Sequence, residues 1–313
     1  MLHLRVVCPP ERTTAVVDLL KAQPGATHLI VLPGVAVAPE GDVVEADVAR
    51  EAADEVIEQL CAIDLDHLGA ITVEQIDTAV SDAADEAMAA APGEGADAVV
   101  WQELLTRTGE ESRLNGTFLG FITIACLLAG VAVVTDSTVT LVGAMVVGPE
   151  FGPLAAMAVG MVRRRWDLVS RAAVALAVGF PVAMLITAGG TLLAQAGGLL
   201  DVNAVRSADN LDFVYDVGVF SLIVALLAGA AGMLSMTSSK SAALVGVFIS
   251  VTTIPAAGYA AVAAVLGEWQ RCLYSFGQLV VNLIGVVLAA GFVLLVRKRT
   301  WTSQDNGRPL STG

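Results

Sequence analysis

Gly148-Pro149-Glu150-Phe151-Gly152-Pro153 lies in the middle of the apolar stretch Val139–Val162, and its reading decides the fold. About 20 apolar residues cross a bilayer as a helix. The flanks Leu141–Val147 and Leu154–Val162 carry no charge. Two prolines four positions apart do not fit a regular helix, because each removes a donor and clashes with the preceding turn. The expectation is a membrane span broken near its centre. Backbone groups freed at that depth must face protein or a water-filled cavity. Glu150 stands inside the break, and an intramembrane carboxylate is costly enough to be a functional candidate by default. Gly148, Pro149, Gly152 and Pro153 are candidates with it, as the backbone that shapes the break. Gly143, Gly148, Gly152 and Gly160 also permit close helix approach.

Working outward, five more spans follow the same rule: Thr117–Val134, Val169–Ala194, Val217–Met236, Ala242–Leu266 and Phe276–Val296. The whole chain agrees with a membrane protein. Of its 313 residues 56% are hydrophobic and 15% charged, with a mean hydropathy of +0.73. Soluble domains average nearer a quarter charged. Four cysteines do not make a disulfide scaffold, and 30 glycines without a period of three exclude collagen. A net charge of −14 argues against nucleic acid as a partner.

The charge is divided unevenly. Residues 1–112 hold 5 Lys+Arg and 22 Asp+Glu, whereas 113–313 hold 12 and 9. An acidic soluble part is therefore followed by a bilayer-embedded part whose charges sit in loops. Arg163-Arg164-Arg165 and Arg171 fall between spans two and three, Lys240 between four and five, and Arg297-Lys298-Arg299 after six. The opposite side holds only Arg206 and Arg271. The excess of basic residues on one side predicts that both termini are cytoplasmic and that Asp201–Asp216 is external. Leu2–Val7 is too short an apolar run for a signal peptide, since Pro9 and Pro10 end it.

The soluble part reads as β-α-β-β-α-β over residues 1–80, a ferredoxin-like α+β domain. Its strands are expected at Leu2–Val7, His28–Leu32, Val43–Val48 and Gly69–Glu74. Thr13 or Thr14 is expected to cap a first helix that ends at Ala22, and Ala52–Ile63 forms the second. Pro33-Gly34 is read as a turn. Residues 81–114 are an acidic linker with a Pro92-Gly93 break and an amphipathic helix, Asp97–Thr106. Residues 115–299 form the six-span domain, and 300–313 a disordered cytosolic tail.

The spans contain an internal repeat. Leu141-Val142-Gly143 and Leu244-Val245-Gly246 are 103 residues apart, and the same slide brings Pro153 within one position of Pro255. The polar run Thr135-Asp136-Ser137-Thr138 precedes the first copy and Thr237-Ser238-Ser239-Lys240-Ser241 the second. The unit is three spans. An odd number sends the second copy into the membrane from the opposite side, which is the inverted-repeat plan of many secondary transporters. The expected fold is thus a six-span helical membrane protein, a 3+3 inverted repeat with broken helices.

Span five adds Ser250, Thr252 and Thr253 before Pro255, hydroxyls able to line a polar path or satisfy freed carbonyls. Asn282, with Gln278 one turn earlier, and Asp136 at the outer end of span one complete the pathway candidates. His3, His28 and His67 are scattered, and no metal site is expected from them. Cys8, Cys61, Cys126 and Cys272 form no pair motif and read as free thiols. No nucleophile elbow, phosphate loop or zinc motif is present, so no enzyme activity and no cofactor are assigned.

VGAMVVGPEFGPLAAM (Val142–Met157), SAALVGVFISVTTIPAAGYA (Ser241–Ala260) and NLIGVVLAA (Asn282–Ala290) resemble the core of a bacterial membrane family called domain of unknown function 389. LPGVAVAPEGDVVEADVAREAADEV (Leu32–Val56) and DAVVWQE (Asp97–Glu103) resemble its actinobacterial-type members. The resemblance runs to about Arg299 and implies a bacterial inner-membrane protein, but it brings no settled activity. Many members have Ser-Pro where Gly148-Pro149-Glu150 stands here, so it does not imply a family-wide role for Glu150. The reading at this stage is a homo-oligomeric inner-membrane transporter or channel for a small ion or metabolite, with a cytosolic domain that gates it or senses a small ligand. The alternative is a membrane-anchored sensor or scaffold that transports nothing.

Overall fold

The computed structural model describes residues 1–91, 99–199, 219–237 and 245–305, without the side chains of 245–252 and 298–305. The Pro92-Gly93 linker, the expected external loop 201–216, most of the polar run 237–241 and the end of the tail lie outside these residues. The chain divides into two compact units, Met1–Glu103 and, in the main, residues 104–313.

The first unit contains a small antiparallel sheet. Its elements are β1 (Leu2–Cys8), α1 (Pro10–Ala22), β2 (Ala26–Val37), β3 (Glu40–Val48), α2 (Arg50–Ala62), α3 (Leu65–Leu68), β4 (Ala70–Gln75) and α4 (Asp82–Ala90). The strand order is β2-β3-β1-β4. β1 pairs antiparallel with both β3 and β4, and β3 with β2. Alternation along β1 buries Leu2, Leu4, Val6 and Cys8 on one face. Val44, Ala46 and Val48 of β3 join them, and Val16, Leu20, Val56, Ile57 and Leu60 of α1 and α2 complete the core. Asp47, on the other face of β3, accepts from His3 Nδ1 at 2.8 Å and His28 Nδ1 at 2.7 Å.

Two local expectations are corrected. Pro33-Gly34 is not the reversal: β2 runs on to Val37, and the β2–β3 register slips between Leu32 and Ala36. Pro33 has no N–H for the ladder, so an irregularity on this edge strand absorbs it. Gly34 takes φ +65° there and donates its N–H to Asp42 Oδ1 at 2.8 Å. Nor does Thr13 or Thr14 cap α1. The helix starts at Pro10, whose missing N–H costs nothing in a first turn. The Thr13 hydroxyl instead donates to Asp42 Oδ2 at 2.6 Å.

The second unit is helical: α6 (Gly116–Val134), α7 (Thr138–Val147), α8 (Phe151–Val162), α9 (Trp166–Ala196), α10 (Val219–Met236), α11 (Val245–Val265) and α12 (Trp269–Asp305) follow α5 (Trp101–Glu111), whose first residues belong to the first unit. Asn115 caps α6 by accepting from the Phe118 N–H at 2.7 Å. Among the described residues α6, α9, α10 and α12 are each long and apolar enough to cross a membrane. α7 and α8, bent by 50° at their junction, make a fifth such span when taken together. α11 contributes a shorter apolar helix, Thr253–Val265. The helices are apolar all round, as lipid contact requires. On α6, Ile122, Ala125, Cys126 and Ala129 are buried, while Phe121, Ile124 and Val131 are exposed.

Small residues bring the helices together. Gly229 of α10 lies against the backbone of Val286 on α12, and a Cβ on Gly258 of α11 would stand 2.5 Å from that of Ala129 on α6.

The 103-residue spacing recurs in the helix limits. α8 ends at Val162 and α11 at Val265; α9 starts at Trp166 and α12 at Trp269. The links before the last pair each contain a left-handed residue, Arg164 at φ +57° and Gly267 at φ +76°, again 103 apart. α6 packs on α9 as α10 packs on α12, and α8 on α9 as α11 on α12. Across the copies α9 meets α11 while α12 meets α8.

Candidate functional site

The site is built by the break. α7 ends at Val147 and Gly148 is extended, at φ −63° and ψ 125°. Pro149 follows, and α8 begins at Phe151 with Glu150 as its first flanking residue. Pro153 falls in the first turn of α8, where N–H groups have no helical acceptor in any case. The two prolines therefore end one half-helix and start the next.

Glu150 makes no side-chain cap to α8. Its carboxylate points to another helix: Thr253 Oγ1 of α11 donates to Glu150 Oε1 at 2.6 Å. Both residues are 0% exposed. Thr253 is also the residue 103 positions after Glu150, so equivalent positions of the two copies touch. Equivalent positions meet where the symmetry axis relating the copies passes. Cys126, the eleventh residue of the 19 in α6, is within electrostatic reach of Glu150.

A cavity of about 380 Å³ opens beside the break. Gly148, Pro149, Phe151 and Gly152 line it together with Arg107, Glu111, Arg113 and Asn115. Glu111, in the last turn of α5, lies against the start of α8, and a Cβ on Gly152 would stand 2.6 Å from that of Glu111. Arg107 holds Glu111 from one turn earlier, Nε to Oε1 at 3.2 Å. Charged groups thus stand at the wall beside the backbone of the break. The sequence reading missed the end of α5. The signal available was the Arg107–Glu111 spacing of four on a helix that continues past Thr106.

The remaining candidates fall apart from this centre. Asp136 takes a left-handed φ of +48° in the link between α6 and α7. Pro255 lies inside α11, two residues beyond Thr253. Asn282 of α12 accepts from Ser221 of α10 at 3.2 Å, and Gln278 donates to the same hydroxyl at 3.0 Å. The side chains of Ser250 and Thr252 lie outside the described residues. Among those residues no three His, Cys, Asp or Glu side chains are grouped to hold a metal.

Outside the membrane segments, burial pushes the Asp47 carboxyl up, but His28 and His3 more than offset this and hold it below the ordinary carboxylate value. The Thr13 hydroxyl and the Gly34 N–H hold Asp42 low as well. Arg165 is bidentate to Asp167 at the start of α9, at 3.1 Å on both bonds.

A protein of Methanocaldococcus jannaschii described as uncharacterized is 23% identical over 194 residues. The alignment covers 61% of this chain and 58% of that relative's length. No solved structure matches the chain. Residues 145–288 match the family described as Domain of unknown function (DUF389). That match begins in α7 and ends in α12, so the break, Glu150, Thr253 and Asn282 all lie within the segment similar to that family.

Proposed function

We propose that the chain is a homo-oligomeric inner-membrane transporter or channel for a small ion or metabolite. Its pathway passes through the break in the second span. Six spans form two inverted copies of three, with α11 as the fifth span. The observation that carries this reading is the buried Glu150–Thr253 bond between repeat-equivalent positions. Transporters of inverted-repeat design bind their cargo near the midplane, at discontinuous helices where the copies meet. Taking a carboxylate out of water costs several kcal/mol, and a helix junction held only for packing needs none. The charged cavity beside Gly148 and Gly152 supports access from the side of α5.

The strand order β2-β3-β1-β4 and two helices on one face support a ferredoxin-like domain ahead of the spans. In this reading that domain is cytoplasmic and gates the pathway or senses a small ligand, and both termini are cytoplasmic. The protein acts without catalysing a reaction.

Flux is the test. The purified protein is placed in liposomes and challenged with protons, monovalent cations, divalent metals and small anions. A specific flux that is lost, or whose pH dependence changes, in Glu150→Gln is the expected result. Equal flux and an equal pH profile in that variant would remove Glu150 from the mechanism. Silence across the panel with folded, inserted protein would favour the anchored sensor.

A further inference from the structure

The second copy carries a buried polar cluster that the first copy lacks. Ser221 of α10 donates to Asn282 Oδ1 of α12 at 3.2 Å and accepts from Gln278 Nε2 at 3.0 Å. Ser275, one turn before Gln278 on α12, is on the same helical face. Ser275 and Asn282 are 0% exposed and Gln278 is 5% exposed. Gln278 Oε1 and Ser275 Oγ have no hydrogen-bond partner among the described residues. A buried polar atom left without a partner is expensive, and more so at membrane depth.

Helix packing does not require this cluster. The positions 103 residues earlier are Phe118, Ala172, Ala175 and Gly179. All four are buried in the contact between α6 and α9. There the Phe118 ring fits against Gly179, where a Cβ would stand 2.7 Å from Phe118 Cε1. One fold position is thus filled in two ways, by an aromatic ring on a glycine in the first copy and by four polar side chains in the second. The first shows that an apolar joint suffices.

We infer that Ser221, Ser275, Gln278 and Asn282 form a binding site for a monovalent alkali cation between α10 and α12. The chemistry selects the ligand. Every group is neutral, so the site does not titrate and holds no proton of its own. Without a carboxylate it does not offset the dehydration of a divalent ion. The hydrogen-bond chain runs from Gln278 Nε2 through Ser221 to Asn282 Oδ1 and leaves Gln278 Oε1 as a buried acceptor without a donor among the described residues, which suits a cation rather than an anion. Neutral oxygens replacing a hydration shell is how alkali ions are bound in membrane pores. The inference stands apart from the role of Glu150, because it concerns binding at other residues.

The test is equilibrium binding of radioactive sodium and rubidium ions to the full chain in lipid nanodiscs, with N-methylglucamine as the inert cation. Three variants accompany the wild type. One carries the first copy's solution, Ser221→Phe with Ser275→Ala, Gln278→Ala and Asn282→Gly. The second is Gln278→Leu alone, which reads the site if the fourfold variant fails to fold. The third is Glu150→Gln. Wild type is expected to show saturable binding displaced by unlabelled sodium or potassium. Affinity is expected to fall about tenfold or more, or about 1.4 kcal/mol, in the fourfold variant or in Gln278→Leu. Absence of saturable binding in wild type would overturn the inference. So would wild-type affinity in the polar-cluster variants, or a loss confined to Glu150→Gln, which would put the ion at the carboxylate.

Discussion

Glu150 and Thr253 concentrate the argument into one bond. A side-chain hydrogen bond is worth roughly 0.5–1.5 kcal/mol net. Thr253→Val removes the hydroxyl but keeps the shape, and is expected to reduce specific flux about tenfold, while Thr253→Ser retains it. Proteoliposome flux at matched protein incorporation checks both, and equal rates in the two variants would deny the hydroxyl its part. Asp47 supplies a second prediction, with a sign set by its environment. Its carboxyl is held low in the folded unit by His28 and His3 against the opposing effect of burial. A group depressed on folding stabilises above its unfolded value and loses that contribution as pH falls through the folded one. Hydrogen exchange in β1 and β3 is therefore expected to be faster in Asp47→Asn than in wild type near pH 7. The difference should shrink as pH falls through the depressed folded value of the carboxyl. A difference that persisted at low pH would mean that the side chain acts through packing alone.

Helices and strands were read from the sequence with uneven success, for physical reasons. β1 and β3 announce themselves because alternation maps directly onto a half-buried strand. Pro33-Gly34 resembled a turn, but an edge strand tolerates a proline in a bulge, and no short-range pattern separates the two. The break in the second span was readable because two prolines in an apolar run leave few alternatives. The partner of its carboxylate was not, since periodicity within α11 does not tell which residue of α8 it meets. Thr253 was singled out only for standing ahead of Pro255, and its pairing needed the fold. The apposition of Glu111 to Gly152 was hidden too, because α5 reads as a surface helix by composition. Close helix contacts bear the strictest predictions. A side chain on Gly258 has no room beside Ala129, and Gly258→Val is expected to destabilise the α6–α11 contact by a few kcal/mol. A melting temperature in detergent lowered by several degrees, with loss of a single elution peak, is the expected readout. An unchanged melt would mean that α11 shifts freely. Asn115→Ala, which removes the α6 cap, is expected to cost only about 1 kcal/mol in the same assay.

The two copies account for the membrane domain as one design. Helix limits, left-handed links and helix contacts all recur at 103 residues. In the proposed reading, three spans per copy reverse the direction of the second, so equivalent links lie on opposite faces of the bilayer. In that reading Glu150 and Thr253 lie at the axis between the copies and the break has its place in a pathway. The links containing Arg164 and Gly267 test it. Single cysteines are placed at these two positions in a chain whose four native cysteines are replaced, and each is labelled in sealed vesicles of one orientation with a membrane-impermeant maleimide. The inverted arrangement predicts that one position reacts from outside and the other only after the vesicles are opened. Reaction of both from the same side would contradict it and remove the midplane pathway built on it.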